Sequence, residues 1–187
     1  MGVVQRNEAP GDLELVRRFV NTTDVEEGTD ELDGPDSLLG WFAGMELLDD
    51  DASADEGDLE RALTLREGIR SLLLANNGEE LEAADLREIN RAARGVCLRV
   101  RFDEDASPTL EPETSGASAA LGRILGAVVR AKEEGIWSRL KVCPNEACQW
   151  AFYDRSRNRS GRWCTMEVCG NRMKARSFRQ RQSTHKG

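Results

Sequence analysis

The chain is poor in the residues on which most enzyme sites depend. Its one histidine, His185, lies close to the C-terminus. No histidine lies near a serine or cysteine to support nucleophilic catalysis, and no glycine-rich loop is suited to cradling a phosphate. The acidic residues cluster in turn-rich runs that are typical of solvated loops. We therefore expect a protein without enzymatic activity.

Long apolar runs and targeting features are missing as well. No apolar run approaches the ~18 residues that a membrane span needs. The first twenty residues lack the basic start and the apolar core of a secretory signal. These absences predict a cytoplasmic protein with no membrane partner. In a reducing compartment, clustered cysteines are better explained as metal ligands than as disulfides.

The net charge of −8 is the average of two segments of opposite sign. Residues 1–135 contain 14 Lys and Arg against 31 Asp and Glu, a net charge of −17. Residues 136–187 contain 12 and 3, a net charge of +9. This split predicts two domains with a boundary after Gly135, and the basic segment is typical of nucleic-acid contact.

The spacing of apolar residues predicts a mostly helical N-terminal domain. One helix is expected to follow Asp12 as its N-cap, and a second to start at Pro35 after a turn. Further helices are predicted over 59–76, 81–94 and 117–134. Alternation over 96–102 predicts a half-buried strand, with a second short strand near Thr109-Leu110. The expected fold class is mainly α with a small β component.

The basic segment carries four cysteines in the spacing C-x4-C-x15-C-x4-C: Cys143, Cys148, Cys164 and Cys169. Two tight pairs of sulfur ligands suit tetrahedral Zn²⁺. A segment of about fifty residues cannot support itself by apolar burial alone, whereas structural zinc contributes roughly 10–16 kcal/mol. We predict one structural Zn²⁺. Unliganded cysteines, a redox pair and an iron–sulfur cluster are the alternatives.

The residues between and after the cysteine pairs predict a hairpin and a helix. Trp150, Phe152 and Tyr153 indicate a strand, and 156–162 indicate a turn. Trp150, Phe152 and Trp163 are expected to form a small core around zinc. Thr165 is expected to cap a terminal helix, so that the second cysteine pair lies where the helix dipole stabilises thiolates. The result is a treble-clef-like zinc finger.

The segment LKVCPNEACQWAFYDRSRNRSGRWCTMEVCGNRMKARSFR closely resembles the CGNR zinc-finger family and contains its signature, Cys169-Gly170-Asn171-Arg172. The N-terminal segment is similar to the helical ABATE domain at LELVRRFVNTTDVEEG, PDSLLGWFAGMELL and ALTLREGIRSLLLA. Together these cover nearly the whole chain. The resemblance implies a stress-responsive bacterial transcription regulator, with an N-terminal domain that senses a ligand or partner and a finger that binds DNA.

The candidate nucleic-acid residues lie on the predicted turn or on the terminal helix. Helical spacing places three arginines of that helix on one stripe that could meet a row of phosphates, and the two asparagines could contact base edges. The candidates are Arg155, Arg157, Asn158, Arg159, Arg162, Asn171, Arg172, Lys174, Arg176, Arg179 and Arg181.

Other interpretations of these residues stay open. The arginines could form a solvated face, dock on the acidic domain, or serve an RNA-binding or protein-interaction module. A two-fold operator would imply a homodimer. Asn21, Thr22 and Thr23 follow the first predicted helix and could line a cleft for an unknown effector, or simply satisfy backbone groups at the helix end.

Overall fold

The computed structural model describes residues 8–48, 52–172 and 174–175. The mainly α fold with a small β component is confirmed. Within the described ranges, the chain forms helices α1 (Leu13–Val20), α2 (Pro35–Gly44), α3 (Glu56–Ala75), α4 (Ala83–Ala92) and α5 (Gly116–Glu133). The strands are β1 (Thr23–Asp24), β2 (Thr29–Asp30), β3 (Leu98–Phe102), β4 (Pro108–Pro112), β5 (Leu140–Val142) and β6 (Ala151–Tyr153).

The start of α3 differs from the prediction, and the cap of α1 differs in its side-chain contact. Helix α3 begins before residue 59, because the Asp55 carboxylate accepts a hydrogen bond from the Asp58 backbone N–H at 2.9 Å and caps the helix. The Asp12 side chain makes no cap hydrogen bond at α1. Its carboxylate instead forms an ion pair with Arg130 of α5. Asp12 therefore occupies the predicted N-cap position of α1, but its side chain links α1 to α5 instead of capping the helix.

The core is built from the apolar faces of α1, α2, α3 and α5. Phe19, Phe42, Leu65, Leu73 and Leu121 are completely buried in it. Within each of these helices the buried apolar residues recur at helical spacing, which is why the periodicity of the sequence predicts the helices correctly.

Strand β3 is largely exposed, whereas most of β4 is half-buried. Val100 pairs with Leu110 in their antiparallel register, but Val100 is 60% exposed and Phe102 is 65% exposed. The prediction of a half-buried strand is therefore wrong for most of its length. Only the base of the hairpin lies against α5, where Leu98 and Pro112 approach Gly122.

The C-terminal segment packs directly on the N-terminal helices. A 3-10 turn over Trp137–Arg139 leads into β5, which contacts α3, and β6 contacts α1. Leu140, Val142 and Ala151 are fully buried in the same core as the helices. The hydrophobic core is thus continuous across residue 135, and the acidic and basic parts of the chain are in contact.

The hairpin of the basic segment differs from the predicted one. Strand β6 pairs antiparallel with β5, with Leu140 opposite Tyr153, and the predicted turn at 156–162 belongs to an irregular loop. The first cysteine pair therefore lies in the connection between the two strands. The physical reason is that Leu140 and Val142 can be buried against α3, whereas the residues around 156–162 are polar and exposed.

The terminal helix begins with a π-helical turn over Met166–Gly170 and continues at residues 171–172 and 174–175. Thr165 occupies the N-cap position, as predicted, but its side chain makes no cap hydrogen bond. In the described part of the chain, no helix is both long and apolar enough to cross a bilayer.

Candidate metal centre and basic surface

The four predicted ligand sulfurs converge on one point. Their Sγ atoms all lie within 4.8 Å of one another, and the Cys148–Cys164 and Cys164–Cys169 sulfur distances are both 3.6 Å. A tetrahedral site with Zn–S bonds of about 2.3 Å has sulfur–sulfur edges of about 3.8 Å. The donor set and its dimensions therefore fit one structural Zn²⁺, as predicted.

Short local structures place each pair of ligands. Cys143 follows β5, and the Cys148 backbone N–H donates to the Asn145 carbonyl at 2.8 Å, which closes a tight turn. Gln149, at φ 51°, then redirects the chain into β6. The Asn145 amide donates to Cys169 Sγ at 3.7 Å and so connects the first ligand loop to the second.

Contacts among Cys143, Cys148 and Cys164 shift the pKa values of these three thiols in opposite directions. Hydrogen bonds from the Cys148 and Cys164 thiols lower the pKa of Cys143 to about 2. The same contacts with Cys143 raise the pKa of Cys148 to about 12 and raise that of Cys164. Four thiolates in such close contact repel one another, and a divalent cation bound between them offsets this repulsion.

A small apolar cluster surrounds the sulfurs. Phe152 is buried with Cys143, Cys148 and Cys169, and the half-buried Trp150 and Trp163 pack against them. This arrangement agrees with the expected small core around zinc. The fifth cysteine, Cys97, is exposed and lies outside the cluster.

Polar side chains of the helical domain hold the finger in place, and sequence reasoning missed them. The Asn76 amide donates to the carbonyls of Trp137 and Leu140, each at 2.9 Å. Next to it, the Asn77 amide donates to Val142 and Arg162 carbonyls, each at 2.8 Å. The end of α3 is thus a major attachment point for the finger.

A buried ion pair organises a loop that carries four of the predicted nucleic-acid residues, Arg155, Arg157, Asn158 and Arg159. Lys141 Nζ donates to Asp154 Oδ2 at 2.8 Å, and both side chains are almost completely buried. The ammonium also donates to the carbonyls of Arg159 and Gly161. The carboxylate accepts from the backbone N–H groups of Ser156 and Gly161. The loop from 154 to 161 is therefore folded around one salt bridge.

The arginines of this loop point outward. Arg157 and Asn158 are exposed and make no side-chain hydrogen bond or ion pair with described residues. Arg155 donates to the Glu8 carbonyl at 2.9 Å and lies over the Tyr153 ring, 5.8 Å from its centroid. Arg159 donates to Ser138 Oγ at 3.1 Å, and Arg162, which follows the loop, lies 3.4 Å from Glu79.

The residues predicted on the terminal helix are only partly described. Asn171 donates to the Glu167 carbonyl within its own helix, and Lys174 is exposed. Arg172 of the CGNR signature forms a 2.7 Å ion pair with Glu26 of the helical domain. The remaining candidates, Arg176, Arg179 and Arg181, lie outside the described residues, as does most of the predicted stripe.

The predicted cleft residues make structural contacts. Thr22 donates to the Phe19 carbonyl and accepts from Arg66, while Thr23 donates to Asp30. The Asn21 amide bonds to the backbone of Ala151. Of the three, only Asn21 borders a cavity of about 480 Å³ that lies between the helical domain and the zinc finger.

Comparisons with known families agree with this two-part construction. Residues 13–132 match the ABATE model, which is described as "Putative stress-induced transcription regulator". Residues 139–182 match the model of the CGNR zinc finger. No curated protein shows a significant match to the chain.

Proposed function

Because the chain belongs to the ABATE family and carries a CGNR zinc finger after that domain, we propose that it is a DNA-binding transcription regulator. In this proposal the finger contacts DNA and the helical domain senses a ligand or a partner. The protein acts in the cytoplasm without catalysing a reaction, and a two-fold operator would require a homodimer.

The observation that carries the proposal is the construction of the basic loop. Three arginines and Asn158 project from a loop whose backbone is anchored by the buried Lys141–Asp154 pair, and the exposed Arg162 follows directly after it. Arginine side chains on a fixed backbone can meet phosphates with little further loss of conformational entropy. A merely solvated loop would need no buried ion pair at its base.

The tryptophans of the finger favour duplex over single-stranded targets. Trp150 and Trp163 pack against the buried sulfur cluster, and Trp150 lines the cavity beside the helical domain, so neither ring belongs to the exposed basic loop that would stack on unpaired bases. The exposed groups of the loop are guanidinium and amide groups, which suit phosphates and base edges in a groove. Duplex DNA is therefore the proposed target, and the binding experiment distinguishes it from RNA and from protein partners.

The test is equilibrium binding of the zinc-loaded protein to random duplex DNA, single-stranded DNA and RNA at about 50 and 200 mM salt. If roughly 4–6 phosphates are neutralised, the slope of log K against log salt will be near −4 to −5 for the duplex. A preference for single strands or RNA would replace the proposal with RNA recognition. Failure to bind any nucleic acid would leave protein interaction as the role of the finger.

A pair of matched variants locates the contact. Arg157→Ala removes an exposed arginine from the loop, and we expect it to weaken duplex binding and to reduce the salt slope by about 1. Arg87→Ala removes an exposed arginine from α4, in the helical domain, and serves as the control. Equal effects of the two substitutions would show only a general charge effect.

A further inference from the structure

The cavity between the helical domain and the finger is a candidate ligand site. Its volume of about 480 Å³ lies within the range of about 300–1,000 Å³ that is usual for small-molecule sites, which often lie between domains. One wall comes from α1, α2 and the residues between them. The other wall comes from the zinc finger, including Cys148, Cys164 and Cys169.

Two tryptophans give the cavity its apolar character. Trp41 of α2 lines it from the helical domain and Trp150 lines it from the finger. Both side chains are only half-buried, and neither indole N–H makes a hydrogen bond to a described residue. Tryptophan is the aromatic side chain that best attracts a cation over its ring face.

The charges around the cavity are predominantly negative. Asp24, Glu26 and Glu31 line it, and the Glu31 carboxylate forms no ion pair within the described part of the chain. Two arginines oppose them. Arg17 is already paired with Glu14 and Glu26 with Arg172, which leaves Asp24 and Glu31 against Arg18. The zinc centre adds to the negative side, because four thiolates outnumber the two positive charges of Zn²⁺.

We propose that this junction cavity binds a small organic cation with an apolar body, such as a quaternary ammonium compound. The indole rings of Trp41 and Trp150 contact the apolar body and attract the positive charge. Glu31 and Asp24, with the anionic metal centre, complete the electrostatic match. An aromatic anion of the same size would meet repulsion from these groups and gain only Arg18.

The site is placed to couple binding to the finger. Glu26 lines the cavity and also holds Arg172 at 2.7 Å. A bound cation competes with Arg172 for the Glu26 carboxylate and so releases this arginine for phosphate contact. Duplex affinity is therefore expected to rise when the cation is bound. This regulatory step depends on the proposed DNA-binding function, whereas binding in the cavity does not.

Calorimetry and tryptophan fluorescence on the zinc-loaded full chain, without DNA, test the site directly. The probes are benzyltrimethylammonium, choline, the neutral dimethylbutanol isostere of choline, and benzenesulfonate. We expect choline to bind about tenfold more tightly than its neutral isostere and benzenesulfonate to show no binding. Equal binding of the choline pair, preference for the anion, or absence of binding by both cations would overturn the proposal.

Variants identify the cavity as the place of binding. Glu31→Gln should weaken cation binding about three- to fivefold, as expected for one exposed charge, while Glu104→Gln in the β3–β4 connection should have no effect. Trp150→Leu should weaken it about tenfold. Because Trp150 packs on the sulfur cluster, the zinc content of the Trp150→Leu variant is measured as well. Trp41→Phe is a milder second variant on the opposite wall of the cavity. Unchanged affinity in Glu31→Gln and Trp41→Phe would place the cation elsewhere and sink the assignment.

The regulatory step is tested separately by repeating the duplex titration with saturating benzyltrimethylammonium. An increase in affinity that disappears in Glu26→Gln supports the coupling. Unchanged or reduced affinity overturns the coupling. If no duplex binding occurs under any condition, the proposed DNA-binding function fails. Cation binding in the cavity is still decided independently by the calorimetry, which contains no DNA.

Discussion

The side-chain amide of Asn21 pairs with the backbone of Ala151 as a neighbouring strand would. Its Nδ2 group donates to the Ala151 carbonyl at 2.9 Å, and its Oδ1 atom accepts from the Ala151 N–H at 2.7 Å. Both groups are buried, and Ala151 lies in β6 of the finger. Asn21, at the end of α1, thus supplies hydrogen bonds to the edge of β6 that does not pair with β5, although the two residues are 130 positions apart in the chain.

This pairing predicts a large effect of a small substitution. Asn21→Asp keeps the acceptor but removes the donor, and it places a carboxylate against the Ala151 carbonyl. We expect the free energy of unfolding to fall by about 2–3 kcal/mol, measured by urea denaturation at neutral pH. Asn90→Asp, at an exposed position of α4, is the control. Equal stability of the two variants would mean that the Asn21 contact contributes nothing.

The metal centre predicts local rather than global unfolding when zinc is removed. The sulfurs belong to an apolar cluster separate from the main core, whereas β5 and β6 contribute to that core. Chelation should therefore expose the amides of residues 143–150 and 162–170 to hydrogen exchange and leave β5, β6, α1, α3 and α5 protected. Loss of protection throughout the chain, or no change at all, would contradict this.

Substitution of cysteines gives a second measure of the same centre. Cys164→Ser should lower the zinc content retained after dialysis against a chelator from one ion per chain to a fraction of that. Cys97→Ser should retain the full amount, because Cys97 is exposed and lies outside the cluster. Metal analysis by mass spectrometry provides the readout, and a parallel loss in both variants would assign zinc to a different ligand set.

The parts of the structure that could be predicted are those with a local signature. Buried apolar residues such as Phe19 in α1 and Ile69 in α3 belong to series that recur with the helical period, so the helices can be predicted. The zinc site can be predicted because zinc restricts both the type and the spacing of its ligands. The β5 strand has three residues and no alternation, so its pairing with β6 depends on burial against α3. The contacts of Asn76 and Asn77 with backbone carbonyls have no spacing rule at all.

The Lys141–Asp154 pair predicts an acid-sensitive loop. Burial raises the pKa of Asp154, but the hydrogen bonds from Lys141 and Ser156 outweigh burial, and the net shift is downward from 3.8. The pKa of Asp154 is therefore lower in the folded protein than in the unfolded chain. The contribution of the ion pair to the free energy of unfolding is complete above about pH 4 and is lost as the pH falls through the pKa of the folded state. Asp154→Asn should cost about 3–5 kcal/mol at neutral pH, since it leaves a buried ammonium unpaired.

The difference between the wild-type protein and Asp154→Asn isolates this contribution, because loss of zinc in acid affects both proteins. Urea denaturation at several pH values should show the two stabilities converging below about pH 4. A constant difference down to the lowest measurable pH would show that the carboxylate stays ionised or does not stabilise the loop. Asp36→Asn, on the exposed first turn of α2, is the control for a general effect of charge.

The ion pair between Glu26 and Arg172 predicts that the helical domain restrains the finger. Glu26→Gln should raise the affinity for duplex DNA at about 50 mM salt, because Arg172 becomes free to meet a phosphate, and the gain should shrink as salt screens both interactions. Glu27→Gln, one residue away and exposed, removes the same charge without touching Arg172. Fluorescence anisotropy of a labelled duplex measures both. If the two substitutions raise affinity equally, the acidic domain acts only through its overall charge; if Glu26→Gln lowers affinity, Glu26 instead orients Arg172 for DNA.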